Sequence, residues 1–140
     1  RDRAKSSVKF IQAFANIGLI PDSGGTYWLP RLVGMARAKA LTMLGTPLPA
    51  AEAEEIGLIH HAVEEEDFDE AVRTLASKLA HMPTRGLGLT KKALHAAMTH
   101  DLHSQLKLEL DLQFEAAETD DYAEGVQAFL EKRKPQFKGT

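Results

Sequence analysis

Ile20-Pro-Asp-Ser-Gly-Gly-Thr26 sets a single carboxylate, Asp22, on a tight loop ahead of a helix. Pro21 fixes its own φ and biases Ile20 toward an extended conformation, so the preceding segment ends as strand or loop. Gly24 and Gly25 let backbone come close to a neighbour or a ligand. Apolar residues flank the loop: Phe14, Ile17, Leu19 and Ile20 before it, Tyr27, Trp28 and Leu29 after it. Two readings of Asp22 stand side by side. Asp22 or Ser23 can cap the free amides of the next turn. Alternatively, Asp22 is a carboxylate held against apolar walls and tuned for proton transfer. The local residues are compatible with both.

Upstream, Val8, Phe10 and Gln12 share one face of a short strand predicted over Ser7–Gln12. Downstream, a helix is expected from Gly24 to Leu32, with Pro30 in its first turns. Gly34 breaks that run, and a second helix spans Ala36 to Leu44 with Gly45 as its left-handed cap. Thr46–Pro49 reads as extended, Ala50–Ile56 as a short helix stopped by Gly57, and Leu58–Val63 as a strand. The adjacent His60 and His61 would then point to opposite faces and cannot jointly hold one metal.

Asp67 is expected to cap an amphipathic helix carrying Phe68, Val72, Leu75 and Leu79. Pro83-Thr84 opens the next helix, in which Leu87, Leu94 and Met98 share a face. Leu102, Leu106, Leu110 and Phe114 then repeat at i, i+4, and Leu108 and Leu112 extend the apolar surface to a second side. A helix apolar on two sides must bury both, here against its own core and another subunit. The last helix, Asp120 to Arg133, offers Tyr122, Val126, Phe129 and Leu130, and Pro135 ends it. Residues 1–80 thus form a core segment carrying the Asp22 loop, and residues 81–140 a helical oligomerisation region.

The 140 residues are 44% hydrophobic, enough for one globular core. A net charge of −3 with interspersed signs argues against a nucleic-acid surface. Without cysteine there is no disulfide framework, thiol nucleophile or thiolate metal site. No apolar run reaches the ~18 residues of a membrane span, and a cytoplasmic protein is the default expectation.

Four stretches, taken together, resemble one family. Phe10 to Thr26, containing Gly18-Leu-Ile-Pro21 and the Asp22 loop, is similar to the central motif of the crotonase (enoyl-CoA hydratase/isomerase) superfamily. Leu29 to Leu41 resembles its following helix, Ala50 to Ile59 its next turn and short strand, and Glu124 to Phe137 its C-terminal helix and tail. The resemblance covers essentially the whole chain and is strongest to the ring-1,2-epoxyphenylacetyl-CoA isomerase subgroup. It implies the α/β ClpP/crotonase-like fold, with this portion mostly helical and only a few short strands. The chain opens Arg1-Asp2-Arg3, which corresponds to the middle of a crotonase subunit. The family's first half, with both backbone amides of the oxyanion hole, is therefore expected to precede it.

The resemblance also bears on chemistry. It puts Phe14 where hydratases carry their second glutamate, and Phe14 can neither give nor take a proton. The carboxylate stands instead at Asp22, where hydratases usually have glycine and the isomerase subgroup has its acid/base aspartate. Asp22 is the expected catalytic residue, with Phe14, Ile17, Pro21, Gly24, Gly25 and Trp28 as substrate-binding neighbours. Lys132 and Lys134 either meet the phosphates of coenzyme A or form a solvated helix end, where basic residues are favoured by the helix dipole. The implied function is isomerisation of an acyl-CoA, without metal or cofactor, because coenzyme A is part of the substrate. Hydration, aryl-CoA dehalogenation through a nucleophilic aspartate and a non-catalytic helical assembly module are the alternatives. A homotrimer or a hexamer of trimers is the expected assembly.

Overall fold

The computed structural model of the chain describes residues 3–140; Arg1 and Asp2 lie outside them. Seven α-helices and four short strands make up the described residues. They divide into two compact units, one ending at Arg73 and the other running from Thr74 to Thr140.

The first unit opens with β1 (Arg3–Lys5) and β2 (Lys9–Phe10), followed by a 3-10 segment over Ala13–Ile17 that ends at left-handed Gly18. Helices α1 (Gly25–Val33) and α2 (Met35–Leu44) come next, then β3 (Leu48–Pro49), α3 (Ala50–Glu55) and β4 (His61–Val63). β1 runs parallel to β4, with Ala4 opposite Ala62. β2 runs antiparallel to β3, with Phe10 opposite Leu48.

The strands are shorter than expected over both Ser7–Gln12 and Leu58–Val63, for a local reason in the second case. Gly57 turns left-handed at the end of α3, and the amides of Leu58 and Ile59 both donate to the Ala53 carbonyl, at 2.8 and 3.2 Å. They finish the helix and so cannot join a sheet. β1 was not foreseen, since Arg-Ala-Lys shows no apolar alternation and exists as a strand only through its distant partner.

Burial in this unit is built on small residues. Ala50 and Ala53 are completely enclosed, and Leu48 and Ile59 pack with them. Leu29, Val33 and Ala38 form a second buried cluster joined to the first through Leu41, Ile56 and Leu58. Leu29 and Val33 lie four apart, so one face of α1 is seated while Trp28 and Leu32 face outward. Pro30 falls at the sixth residue of α1, not in its first turn, and the helix runs on through it. Gly45 caps α2 as expected, at φ 61°, with the Asn16 amide so close that an added Cβ would meet its Oδ1 at 3.0 Å. The 3-10 segment is thereby tied to the end of α2.

α4 (Phe68–Ala80) crosses the boundary, and the second unit continues with α5 (Thr84–Ala97), α6 (Leu102–Ala117) and α7 (Asp120–Leu130). The Asp101 side chain caps α6 through the Ser104 amide at 2.7 Å, and Thr119 caps α7 through the Tyr122 amide at 3.1 Å. α5 and α6 are linked by Gln105 Nε2 donating to the Ala93 carbonyl. The two sides of α6 are not equivalent. Leu112 is buried and Leu108 half-buried, whereas Leu102, Leu106, Leu110 and Phe114 are all exposed within the chain.

α7 stops at Leu130, five residues before Pro135, and Lys132 takes a left-handed φ of 55° as the chain reverses. Residues 131–140 then fold back as a strap. Asp121, only 3% exposed, accepts hydrogen bonds from the amides of Lys138 (2.7 Å) and Gly139 (2.9 Å). Its own amide donates to the Thr140 carbonyl. One turn on, Glu124 accepts both Nη atoms of Arg133, at 2.6 and 2.9 Å, and the Gln136 amide at 2.7 Å. Gly139 has φ 80°, and a Cβ there would come within 2.6 Å of Thr84 Oγ1.

Asp121→Ala leaves two strap amides without their charged acceptor and should lower the unfolding free energy by about 2–3 kcal/mol, measured by urea denaturation. Arg133 and the Gln136 amide hold the Glu124 carboxyl at about 2, below its ordinary 4.5. A depressed folded-state value means that the stabilisation is complete above about pH 4.5 and fades as pH falls through about 2. The gap in Tm between wild type and Glu124→Gln, open at pH 6, should therefore close across that interval.

Candidate active site

The loop before α1 carries no regular structure from Leu19 to Asp22, and then turns sharply. The Gly25 amide donates to the Asp22 carbonyl at 2.7 Å, closing a four-residue turn. Both central residues are left-handed, Ser23 at φ 51° and Gly24 at φ 80°, the mirror-image form of an ordinary turn. Gly24 adopts this conformation freely, but Ser23 pays a steric penalty of about 1–2 kcal/mol. Backbone held in such a region persists where its surroundings over-determine it, and such residues cluster at functional sites.

The structure removes the capping reading of the Asp22 side chain. Gly24 occupies the N-cap of α1, and no side chain caps the helix. The carboxylate is therefore not consumed in capping, and Asp22 is exposed on its turn. Pro21, Gly24, Gly25 and Trp28 lie on the turn and the first helical turn. Phe14, half-buried, and Ile17, exposed, lie on the preceding 3-10 segment. The apolar flanks are open within this chain, with Ile20 at 79% and Trp28 at 45% exposure.

Lys132 and Lys134 belong to the second unit, where both are exposed on the chain reversal after α7. Between them, Arg133 is committed to Glu124 and Glu131, so the segment presents two cations on either side of a paired one. His61 donates or accepts through Nδ1 at 2.8 Å from Glu54. The Ala62 amide and that ring together hold the Glu54 carboxyl below the usual carboxylate range. Among the described residues no three His, Cys, Asp or Glu side chains converge on a possible metal position. No helix among them is long and apolar enough to cross a membrane.

Residues 3–140 match the family model described as enoyl-CoA hydratase/isomerase. The chain belongs to that family. Over 136 residues it is 50% identical to 1,2-epoxyphenylacetyl-CoA isomerase of Escherichia coli, an alignment covering 97% of this chain and 52% of the relative. It is 48% identical to a probable enoyl-CoA hydratase of Rhodobacter capsulatus, covering 97% and 53%. A crystal structure of an enoyl-CoA hydratase subunit from Geobacillus kaustophilus superposes with a TM-score of 0.95 at 35% identity, covering 99% of this chain and 54% of that one. The crotonase fold follows from these matches, and the chain spans about half the length of the curated relatives it matches.

Sequence reasoning placed Asp22 on its loop but missed Ser23 as the second left-handed residue. The two glycines signal a turn with positive φ, but nothing in the local sequence marks Ser23 for it. Ser23→Gly should relieve the penalty and, net of the extra entropy of glycine, leave stability unchanged or raise it by up to about 1 kcal/mol. Gly24→Ala should lower it by about 1–2 kcal/mol. Chemical denaturation of the two variants beside wild type checks both signs.

Proposed function

We propose that the full-length protein is an acyl-CoA isomerase in which Asp22 is the side-chain acid and base. The observation that carries this reading is a carboxylate set on a left-handed turn among apolar side chains and not used to cap its helix. Phe14, at the position the family resemblance gives to the second hydratase glutamate, adds that a two-carboxylate hydration is disfavoured. The name of the Escherichia coli relative supports the same reading and suggests 2-(1,2-epoxy-1,2-dihydrophenyl)acetyl-CoA as substrate, with a 3-enoyl-CoA as the simpler alternative.

For the enoyl substrate, the Asp22 carboxylate takes a proton from the carbon α to the thioester. The electron pair left behind moves into the thioester carbonyl, giving an enolate. The Asp22 carboxylic acid then returns the proton two carbons further along, and the double bond comes to rest between the α and β carbons. Backbone donors on the enolate oxygen are typically worth about 3 kcal/mol each in such chemistry. For the epoxide, the same carboxylate assists opening to the seven-membered oxepin. Both conversions are redox-neutral isomerisations whose proton inventory closes on one carboxyl group. Lys132 and Lys134 are the candidate contacts for the phosphates of coenzyme A.

Asp22→Asn in the full-length enzyme should fold normally and lose isomerisation by at least about 10³-fold, within the range typical of general acid/base groups. Turnover within tenfold of wild type would defeat the assignment. With crotonyl-CoA, ultraviolet loss of the conjugated double bond should be slow. Hydration at the pace of a dedicated hydratase would favour the second reading, suggested by the Rhodobacter capsulatus relative, and would require another carboxylate.

Self-association belongs to the same proposal, and the structure changes which face of α6 should mediate it. Leu108 and Leu112 point to the chain's own core, so the free ridge is Leu102, Leu106, Leu110 and Phe114. A homotrimer burying this ridge would gain about 1.5–3 kcal/mol per leucine. Leu106→Lys with Leu110→Lys should yield a folded monomer in sedimentation, and an unchanged oligomer would remove α6 from the interface.

A further inference from the structure

The turn that carries Asp22 is gripped from two sides. A Cβ added at Gly25 would meet the Pro21 Cβ at 3.3 Å, and one added at Gly24 would meet Trp28 Cδ1 at 3.2 Å and Nε1 at 3.4 Å. The pyrrole edge of the indole thus closes off the space where a side chain at Gly24 would stand. Trp28 is half-exposed, and its neighbours in α1 bear on it. Leu29, the next residue, is buried and seats α1 on the core. The Tyr27 ring stands edge-on to the indole, 5.1 Å between centroids and at 83°. Arg31 closes over Tyr27 at 3.6 Å from its ring centroid.

Ser23 has no intrinsic reason to stay left-handed, since a side chain there favours the right-handed region. Relaxation of Ser23 and Gly24 to negative φ would reverse the hand of the turn and re-aim the residue that begins it. Something outside the turn must oppose this. The Trp28 indole flanks its left-handed glycine, whose carbonyl also accepts the Tyr27 and Trp28 amides.

We propose that Trp28 is a positioning residue for Asp22: its indole, seated on Gly24, holds the Ser23–Gly24 pair left-handed and so fixes where the carboxylate is carried. This rests on the reading of Asp22 as the acid/base. It differs from the role of a substrate wall, which sequence reasoning gave to Trp28. A wall contributes binding and its loss raises KM, whereas a positioning residue sets the geometry of proton transfer and its loss lowers kcat. Misplacing a reacting group by ~1 Å costs roughly 10²-fold.

The test uses the full-length enzyme with Trp28→Ala, Trp28→Phe and Asp22→Asn, assayed for isomerisation and followed by hydrogen exchange at the Gly25 amide. Trp28→Ala should lower kcat by about 10- to 100-fold with KM within about twofold, and the Gly25 amide should exchange faster. Trp28→Phe keeps a ring edge over Gly24 and should recover most of both losses. If the alanine variant does not fold, Trp28→Leu retains apolar volume without a ring and carries the same comparison. An unchanged kcat, a loss confined to KM, or unaltered Gly25 exchange would overturn the proposal. Asp22→Asn with near wild-type turnover would overturn the acid/base reading beneath it, so the two failures are told apart.

Discussion

A hydrogen bond of 2.7 Å from the Gly25 amide to the Asp22 carbonyl closes the turn on which this half of the molecule is centred. It closes over Ser23 and Gly24, both at positive φ, a geometry an ordinary pair of residues would leave. The consequences run in both directions along the chain. Ahead of the turn, the 3-10 segment is tied through Asn16 to the capped end of α2. Behind it, α1 is seated through Leu29 and Val33. A mobile loop would let the carboxylate swing. Here the backbone on each side is attached to the same small core.

That core explains why the site needs so little material to hold it. Ala50 and Ala53 are fully enclosed, so α3 lies close against the elements around it, and bulkier side chains would force them apart. The apolar residues that do not enter this core, among them Ile20 and Trp28 near Asp22 and Phe114 on α6, remain open in the isolated chain. Open apolar surface of that extent on one molecule marks places where something else binds. The chain spans about half the length of its curated relatives, and a substrate, the remainder of such a subunit or a second copy each answers that requirement.

Local chemistry made part of this readable in advance. Gly45 and Gly57 announced helix ends, and each adopts the left-handed conformation a side chain would resist. The Asp22 loop was identifiable from its glycines and from its resemblance to a family motif. Features that depend on distant partners were not readable. β1 becomes a strand only beside β4, and Leu58 and Ile59 leave theirs to finish α3. On α6 the i, i+4 leucine stripe is the more regular apolar face, yet Leu112 on the other side is the buried one. Periodicity reveals that a helix has two apolar sides but not which neighbour arrives first. The C-terminal residues read as a basic tail. Their fold depends on Asp121 and Glu124, two acids that look like any others on a helix surface.

Pro30 has one further mechanical effect. Lacking an N–H, it cannot donate to the Thr26 carbonyl, so the opening turn of α1 is joined to the rest of the helix by one rung fewer. The missing rung spans the stretch that holds Trp28 and Leu29. Leu29 is sunk in the core, so an apolar anchor stands where that backbone bond is lacking. The end of α1 that adjoins the Asp22 loop is thus kept in place by burial, where an unbroken ladder would otherwise do it.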